Sequence, residues 1–259
     1  MNATDVTLPR ERQQWILERL RRDGRVVAAD LAQAFRVSED SIRRDLRDLA
    51  SQGLCRRVYG GALLAQPVAP LGERHHERVE LKRSLARVAA SLVGEGQILF
   101  IDAGSTNTAL AHALPERRDL TVVTNAPDVA MAVLGRPGFE VMLLGGRIDP
   151  RIGGAIGSRT VRQAQDIRAD LCFPGVCAID PVSGLWTFDE EETVFKQAIV
   201  EASGETVAIA TPDKLVASAT HHTVPITAIT HLVVAGDTEE SVMERYRMAG
   251  VAVHAKPAW

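Results

Sequence analysis

The spacing of apolar residues changes near residue 97 of this 259-residue chain. Before that point, apolar residues recur every three or four positions, as on the buried faces of amphipathic helices. Beyond it, short β-branched runs alternate with helical segments, which predicts an α/β fold with a mainly parallel sheet and helices on both faces. The predicted strands cover residues 98–102, 120–124, 140–144, 171–176, 207–210, 231–234 and 251–254, and the predicted helices cover 106–113, 128–134, 160–167, 189–202 and 239–248.

Three shorter helices are predicted ahead of the sheet, over residues 10–23, 27–35 and 38–50. Ser38 is a residue type that favours the N-cap position, and the apolar residues that follow it have helical spacing. Only Arg36 and Val37 separate the second helix from the third, which is helix-turn-helix spacing. Gly24 and Gly53 are expected to end the first and third helices.

A short strand over residues 54–59, followed by a Gly-Gly turn, predicts the wing of a winged helix. Duplex DNA is read by donors near the start of a recognition helix, while neighbouring cations hold phosphates. A basic helix face can also be merely solvated, but the cap, turn, spacing and basic wing agree with one another and favour DNA binding. Which side chains would read bases stays open. The candidate DNA contacts are Ser38, Glu39, Ser41, Arg43, Arg44, Arg47, Arg56, Arg57 and Tyr59.

The net charge of −3 is unevenly distributed along the chain. Residues 1–62 contain 12 Arg, no Lys and nine acidic residues, a balance of +3 that leaves −6 for the remainder. This asymmetry places nucleic-acid binding in the first part of the chain. Arginine without lysine suits bidentate recognition of phosphate and guanine, although a GC-rich genome would produce the same bias.

Between the two parts, residues 63–72 contain two prolines among small residues, which indicates a linker. A long amphipathic helix is predicted over 73–93, where it would couple the two domains or pair with a second subunit. The expected organisation is a DNA-binding domain over 1–62, a linker and coupling helix over 63–93, and an α/β domain over 94–259.

The stretch VSEDSIRRDLRDLASQGLCRRVYGGA, residues 37–62, resembles the N-terminal domain of DeoR-type transcriptional regulators. The serine cap, the Ile-Arg-Arg-Asp-Leu core and the Gly-Gly-Ala after the wing match the family signature. Ser41 stands where the family has threonine, and this change keeps the hydroxyl group. The resemblance implies a winged helix-turn-helix that binds double-stranded operator DNA.

A small-molecule site is predicted in the stretch IDAGSTNT, residues 101–108, where a strand ends in Asp and a hydroxyl-rich turn opens a helix. Gly104 lets the backbone approach a ligand, and the amides of the first helical turn suit a phosphate. Such a turn can also simply cap a helix. Other strand ends, at Thr124-Asn125, Gly145-Gly146 and Gly175, would line the same crevice and favour a ligand site.

Glu192 and Lys196 are four residues apart and therefore share one face of a predicted helix. They form either a surface ion pair or, if the helix flanks the crevice, a site where Lys196 holds a phosphate or a sugar hydroxyl. Lys214 is the second cationic candidate.

The larger domain resembles the C-terminal sensor domain of DeoR-type regulators, which is similar in fold to ribose-5-phosphate isomerase. The matching segments are FIDAGSTNT, VVTNAPDVA, LLGGRID, FPGVCAID and EETVFKQAIVEAS, together with Lys214. The resemblance implies a phosphorylated sugar as effector, bound by Asp102, Gly104, Ser105, Thr106, Asn107, Asn125, Glu192, Lys196 and Lys214.

The larger domain departs from the family pattern at three places. Asn107 replaces a threonine, Cys177 replaces a polar residue, and the acidic neighbour of Lys214 has moved to Asp213. These departures bear on which effector is bound.

The three cysteines, Cys55, Cys172 and Cys177, have no metal-binding or redox-motif spacing, which favours free thiols in a reducing compartment. No signal peptide and no apolar run of about 18 residues is found, so we expect a cytoplasmic protein. Neither a metal nor a cofactor is indicated.

These observations predict a DNA-binding regulator, with repression implied by the resemblance alone. Homo-oligomers are expected because two recognition helices address paired half-sites. An α/β domain that only oligomerises is one alternative. A phosphosugar isomerase is another: Glu192, Asp180 or Asp189 could move the proton, but the acidic Asp-Gly-Ala-Asp cluster of the isomerases is missing.

Overall fold

A computed structural model describes residues 9–23, 25–51, 54–64, 71–116 and 119–255. The chain divides into two compact units. Among the described residues, the first unit comprises those up to position 64, and the second comprises those from position 71 onward apart from Val216–Ser218. Gly24, Gly53 and most of the predicted linker lie outside the described residues.

The first unit contains three helices and a three-stranded antiparallel sheet of order β1-β3-β2. Its elements are α1 (Pro9–Asp23), β1 (Arg25–Val27), α2 (Ala28–Phe35), α3 (Glu39–Ser51), β2 (Cys55–Val58) and β3 (Gly61–Leu64). The three predicted helices and the wing are all present. Strand β1 was not predicted, and its last residue was expected to begin α2, because three residues are too few to show an alternating pattern.

Apolar side chains from the three helices form one core in this unit. The cluster contains Ile16 and Leu20 of α1 and Phe35 of α2, and Ile42 and Leu46 supply the inner face of α3. Because α3 buries this stripe, its opposite face remains on the surface.

The second unit is built on a seven-stranded parallel sheet of order β15-β14-β12-β9-β4-β5-β6, which confirms the predicted fold class. Its strands are β4 (Ile98–Ile101), β5 (Leu120–Thr124), β6 (Phe139–Leu143), β9 (Ala169–Phe173), β12 (Ser203–Ile209), β14 (His231–Val234) and β15 (Ala252–Ala255). Its helices are α4 (Leu71–His76), α5 (Val79–Ala90), α6 (Ser105–Ala113), α7 (Pro127–Val133), α8 (Ser158–Gln165), α9 (Glu190–Glu201) and α10 (Glu240–Met248).

Helices cover both faces of this sheet and create two apolar clusters. On one face Leu85 of α5 and Leu110 of α6 pack against Ile101, and on the other Phe195 and Ile199 of α9 pack in the cluster of Phe100. The chain runs from β4 outward through β5 to β6 and then returns to the other side of β4 as β9. The carboxyl ends of β4 and β9 therefore flank a topological switch point, where ligands bind in sheets of this type.

The single helix predicted over residues 73–93 is two helices, α4 and α5. Arg78, between them, has a left-handed backbone with φ of 50°, which interrupts the helical path. Leu85, Ala86 and Ala89 of α5 are buried in the cluster beside the sheet. Helix α5 therefore packs against the sheet as part of the α/β unit.

Five short strands form two small antiparallel sheets that the sequence analysis did not predict. They are β7 (Arg147–Asp149), β8 (Gly154–Ile156), β10 (Ala178–Asp180), β11 (Gly184–Thr187) and β13 (His221–Val224). β7 pairs with β8, and β11 lies between β10 and β13. In the chain, β7 and β8 follow β6, β10 and β11 follow β9, and β13 follows β12. Both small sheets are therefore built from connections that leave the carboxyl ends of the main strands.

Candidate functional sites

Ser38 begins the recognition helix α3 by capping it. Its Oγ accepts a hydrogen bond from the Ser41 backbone N–H at 3.3 Å and lies 3.0 Å from Ser41 Oγ. Glu39 and Asp40 in the first turn are favoured there by the helix dipole. The predicted cap is confirmed, and the hydroxyl of Ser41 is partly used within the cap.

The basic face of α3 contains two kinds of arginine. Arg43 forms ion pairs with Glu39 at 3.0 Å and with Asp40 at 3.7 Å on its own helix. Arg44 and Arg47 are exposed and have no ion pair with any residue that the structure describes. The unpaired cations of this helix therefore stand one turn apart, at positions 44 and 47.

The wing is a two-residue hairpin that connects β2 and β3 through Tyr59 and Gly60. Tyr59 is fully exposed at its tip, and Arg57 is exposed on β2. The side chain of Arg56, another predicted contact, is not among the described ones. Gly61 begins β3 where a Cβ atom would lie 2.0 Å from the Val26 carbonyl oxygen, so only glycine fits against β1.

A buried ion pair joins the recognition helix to α1. Arg12 Nε donates to Asp45 Oδ2 at 2.6 Å, and Gln13 Nε2 donates to Asp45 Oδ1 and Asp48 Oδ2, each at 3.2 Å. This pair was not predicted from the sequence. Its signal was a carboxylate on the apolar stripe of α3, three residues after Ile42.

In the α/β unit, Asp102 lies at the switch point, directly after β4, and is buried. Its Oδ1 accepts from the Ala103 N–H at 2.7 Å, and its Oδ2 accepts from the Gly175 N–H at 2.8 Å. A Cβ atom on Gly175 would lie 2.6 Å from the Ala103 carbonyl oxygen. The loops after β4 and β9 are therefore in direct contact through Asp102.

Lys196 is fully buried between two carboxylates. Its Nζ donates to Asp102 and, at 2.8 Å, to Glu192 Oε1. Burial alone would lower the pKa of Lys196, but the attraction of Asp102 and Glu192 outweighs burial and holds the pKa above its ordinary value. Of the two alternatives for residues 192 and 196, the surface ion pair is excluded, since the lysine has no exposed surface.

Gly104, Ser105 and Thr106 form the start of α6, as predicted for the phosphate cradle. Gly104 precedes the helix with φ of 145°, and a Cβ atom there would meet nothing within 4 Å, so space lies open beside Gly104 at the start of the helix. Ser105 is buried and Thr106 half-buried. These three residues combine backbone donors, hydroxyl groups and free space.

The two predicted asparagine contacts, in contrast, tie loops together. Asn107 Nδ2 donates to the backbone oxygens of Asp102 at 3.0 Å and Phe173 at 2.8 Å. Asn125 Oδ1 accepts from the Ala103 N–H at 3.1 Å, and its Nδ2 donates to the Ala155 oxygen at 3.0 Å. Both side chains are buried, and these bonds fix the backbone around the crevice.

Three more cations lie near the crevice, two of which the sequence analysis missed. Arg74 of α4 donates to the Arg151 oxygen at 2.6 Å, and Lys82 of α5 donates to the Arg74 oxygen. Burial lowers the pKa of Lys82. The third is the predicted Lys214, 3.6 Å from Asp213. Lys82 could have been found from its place on the apolar stripe of α5.

The electrostatics of Cys177 show that these charges share one region. Burial and then the charge of Glu192 raise the pKa of the Cys177 thiol to about 12. The positive charges that act against this rise are those of Lys196, Lys214 and Arg74. The crevice therefore contains a buried lysine whose charge is balanced by Asp102 and Glu192, and further cations lie around it.

In the part of the chain that the structure describes, no group of three or more His, Cys, Asp and Glu side chains could hold a metal ion. The helices there also lack an apolar stretch long enough to cross a membrane.

Comparison with known families gives two matches. The DeoR-like helix-turn-helix domain matches residues 12–68, and the DeoR C terminal sensor domain matches residues 77–235.

Three characterised relatives are similar over most of their length. The glycerol-3-phosphate regulon repressor of Escherichia coli K12 is 37% identical over 195 residues, 74% of this chain and 77% of that protein. The regulator GlpR of Haloferax volcanii is 32% identical over 95% of this chain and 97% of its own length. The transcriptional repressor CsqR of Escherichia coli K12 is 31% identical over 85% and 84%.

Among solved structures, ribose 5-phosphate isomerase A from Methanocaldococcus jannaschii is 15% identical with a TM-score of 0.39, over 54% of this chain and 55% of that chain. The full-length sorbitol operon regulator SorC from Klebsiella pneumoniae is 12% identical with a TM-score of 0.38, over 80% and 88%. The two family matches and the relatives above 30% identity establish that this chain belongs to the DeoR family of transcriptional regulators.

Proposed function

We propose that this regulator represses transcription by binding operator DNA through its first unit, and that a phosphorylated sugar bound in the α/β crevice controls this binding. The exposed, unpaired Arg44 and Arg47 on a recognition helix with a buried opposite face carry the proposal. The names of the relatives, which include a glycerol-3-phosphate regulon repressor, support both repression and a phosphorylated effector.

The DNA contacts divide according to the ion pairs. Arg44 and Arg47 have no ion pair with a described residue and are available to phosphates or guanines. Arg43 must break its ion pair with Glu39 before it can bind DNA. Ser38, Glu39 and Ser41 lie at the end of the helix that enters the major groove in helix-turn-helix proteins. Arg57 and Tyr59 of the wing reach the neighbouring backbone.

The effector phosphate is proposed to sit in front of α6. Gly104 leaves room there, Ser105 and Thr106 offer hydroxyl and amide donors, and the positive end of the helix dipole favours an anion. Lys214 supplies a cation that is partly exposed. Lys196 holds Asp102 and Glu192 in place, so in this proposal its main contribution to binding is to shape the crevice.

Binding of the effector weakens operator binding if the effector prefers an arrangement of the protein that binds DNA less tightly. Such a regulator acts on paired half-sites as a homo-oligomer and works in the cytoplasm, where the DNA is.

An isomerase activity is disfavoured by the surroundings of the three candidate carboxylates. Glu192 is paired with Lys196, and Asp189 caps α9 by accepting from the Glu192 N–H at 3.1 Å. Burial would raise the pKa of Asp180, but hydrogen bonds from Ser183 and Val182 outweigh burial and lower it. A lowered pKa makes Asp180 a weaker base for removing a proton from carbon.

The test is binding of the purified protein to DNA upstream of its own gene, followed by fluorescence anisotropy at fixed salt with a panel of phosphorylated sugars. Arg44→Ala should weaken binding about tenfold or more and reduce the salt slope by about 1, whereas Arg43→Ala should weaken it less. The proposal for α3 is refuted if the Arg43 variant loses more affinity than the Arg44 variant.

For the crevice, one sugar phosphate should release the DNA while its unphosphorylated parent does not. Thr106→Val and Lys214→Met should each raise the effector concentration needed for release and leave DNA binding in its absence unchanged. An effector that acts equally well on both variants would place its phosphate elsewhere.

A further inference from the structure

Strand β6 lies at the edge of the parallel sheet, and among the described residues no strand pairs with its outer side. Leu120 N–H donates to the Gly138 oxygen at 2.9 Å, and Leu144 N–H donates to the Thr124 oxygen at 2.8 Å. Even-numbered residues of this stretch therefore turn their backbone groups toward β5. By alternation, Phe139, Val141 and Leu143 turn theirs toward the open edge.

The edge lacks the usual features that prevent pairing. Natural edge strands carry lysines, prolines or bulges, but the sequence of β6 is Phe-Glu-Val-Met-Leu, and its register with β5 runs through five residue pairs without a shift. Glu140 is the single charge on this strand. The strand is therefore open to pairing with another chain.

Exposed apolar side chains are concentrated around the same edge. Of the twelve large hydrophobic side chains exposed among the described residues, five lie on β6, on α7 or its C-cap just before β6, or on β7 just after it. They are Met131, Leu134, Met142, Leu143 and Ile148. Beside the opposite edge strand, β15, one of the twelve is found, Met248 at the end of α10. Clusters of this kind mark interaction surfaces.

We propose that β6 pairs with β6 of a second copy of this chain, antiparallel and centred on Val141. This register places the free backbone groups of Val141 opposite those of the partner's Val141, and those of Phe139 opposite those of the partner's Leu143. It also places Glu140 opposite the partner's Met142, so that no like charges meet directly. The edge is thus its own complement, as a two-fold interface requires.

A second copy is favoured over a foreign strand for two reasons. The proposed function, on which this part rests, needs two DNA-binding units. A pair of five-residue strands alone also falls short of the roughly 1,200 Å² that stable interfaces bury, and the two-fold brings both sets of flanking apolar side chains to the contact.

The first experiment is sedimentation velocity of the full-length protein without DNA, over a range of concentrations. The wild type should be a dimer or a multiple of it. Met142→Glu puts a carboxylate opposite the partner's Glu140 at two symmetric places and should raise the dissociation constant at least tenfold. Met142→Lys puts an ammonium group there and should raise it far less. Met248→Glu, a matched change at another exposed methionine, should have no effect.

The second experiment is oxidative cross-linking. Cα atoms of a hydrogen-bonded antiparallel pair lie about 5.5 Å apart, within disulfide range, so Val141→Cys should link two chains. Glu140→Cys should not, because symmetric copies of that residue are diagonal neighbours roughly 7–8 Å apart. The wild type gives the baseline for the three native cysteines.

A monomeric wild type, equal effects of the two charges at position 142, or cross-linking at 140 in place of 141 would overturn the proposal. Neither experiment involves DNA or effector. If the wild-type protein does not bind operator DNA, the proposed function is refuted, and the β6 interface is unaffected by that result.

Discussion

At the scale of single residues, the ammonium group of Lys196 holds two parts of the α/β unit together. It lies between Asp102 and Glu192 with no exposed surface, and it joins the end of β4 to α9. Buried charges are tolerated only while they are paired, because each one loses its hydration. Removing the lysine would leave two carboxylates facing each other inside the protein.

We expect Lys196→Met to destabilise the α/β unit by about 3–5 kcal/mol at neutral pH, the usual effect of breaking a buried pair. Urea unfolding at pH 7 measures this effect.

Lys214→Met is the control for this variant. Its ammonium group is partly exposed and 3.6 Å from Asp213, so the change should cost no more than about 1 kcal/mol. Equal losses in the two variants would contradict a special role for the buried lysine.

Spacing along α9 was sufficient to predict that Glu192 and Lys196 interact, because residues four apart share a helical face. It could not reveal that the pair is buried. Burial depends on β4 and on Asp102 directly after it, and Asp102 is 94 residues from Lys196 in sequence. Asn107 and Asn125 illustrate the same limit. Their residue types suit a ligand, but their amides are engaged by backbone groups of distant strands.

At the scale of elements, the orientation of α3 depends on its contact with α1. The Arg12–Asp45 pair is buried and short, and it crosses between these two helices. Asp45 therefore faces the interior, away from DNA, although it lies between arginines at 44 and 47 that face outward. It positions the recognition helix.

We expect Asp45→Asn to lower the stability of the first unit by about 3–5 kcal/mol, because it leaves the buried Arg12 without a counter-ion. Operator affinity should fall with it. Asp48→Asn removes only a partner of Gln13 on the exposed side and should change stability by less than about 1 kcal/mol. Thermal unfolding of both variants by circular dichroism checks the contrast, and indistinguishable melting temperatures would refute it.

The two glycines of the wing should respond differently to substitution. Gly60 has φ of 80° with nothing near its missing Cβ, so Gly60→Ala costs about 1 kcal/mol of backbone strain. Gly61→Ala would push a Cβ into the Val26 backbone oxygen, and β1 or β3 must move. We expect a loss above about 2 kcal/mol and weaker DNA binding. Chemical unfolding and anisotropy measure these effects, and the reverse order would be inconsistent with the close approach of β1 and β3.

All seven strands of the main sheet were predictable because buried parallel strands are near-continuous apolar runs. β5 and β14 have the predicted bounds. The small antiparallel sheets were not predictable, since three or four residues carry too little pattern. The break between α4 and α5 was also hidden, because Arg78 is an ordinary helix former whose left-handed backbone is set by its surroundings.

At the scale of the whole molecule, no apolar cluster of the described residues is shared between the two units: the first unit has one, and the α/β unit has two, on opposite faces of one sheet. Two units with separate cores should give two unfolding transitions in differential scanning calorimetry. Asp45→Asn should lower one transition, and a bound sugar phosphate should raise the other through mass action. A single transition shifted by both would show that the two units unfold together.

The distribution of lysine has a practical consequence for chemical labelling. The first 62 residues contain none, and the three described lysines, Lys82, Lys196 and Lys214, all belong to the surroundings of the crevice. Lys82 and Lys196 are buried, which leaves Lys214 as the most accessible of the three. Acetylation of amines followed by mass spectrometry would therefore act as an occupancy footprint: a bound anion should slow modification of Lys214, while the arginine side chains that meet DNA stay unmodified.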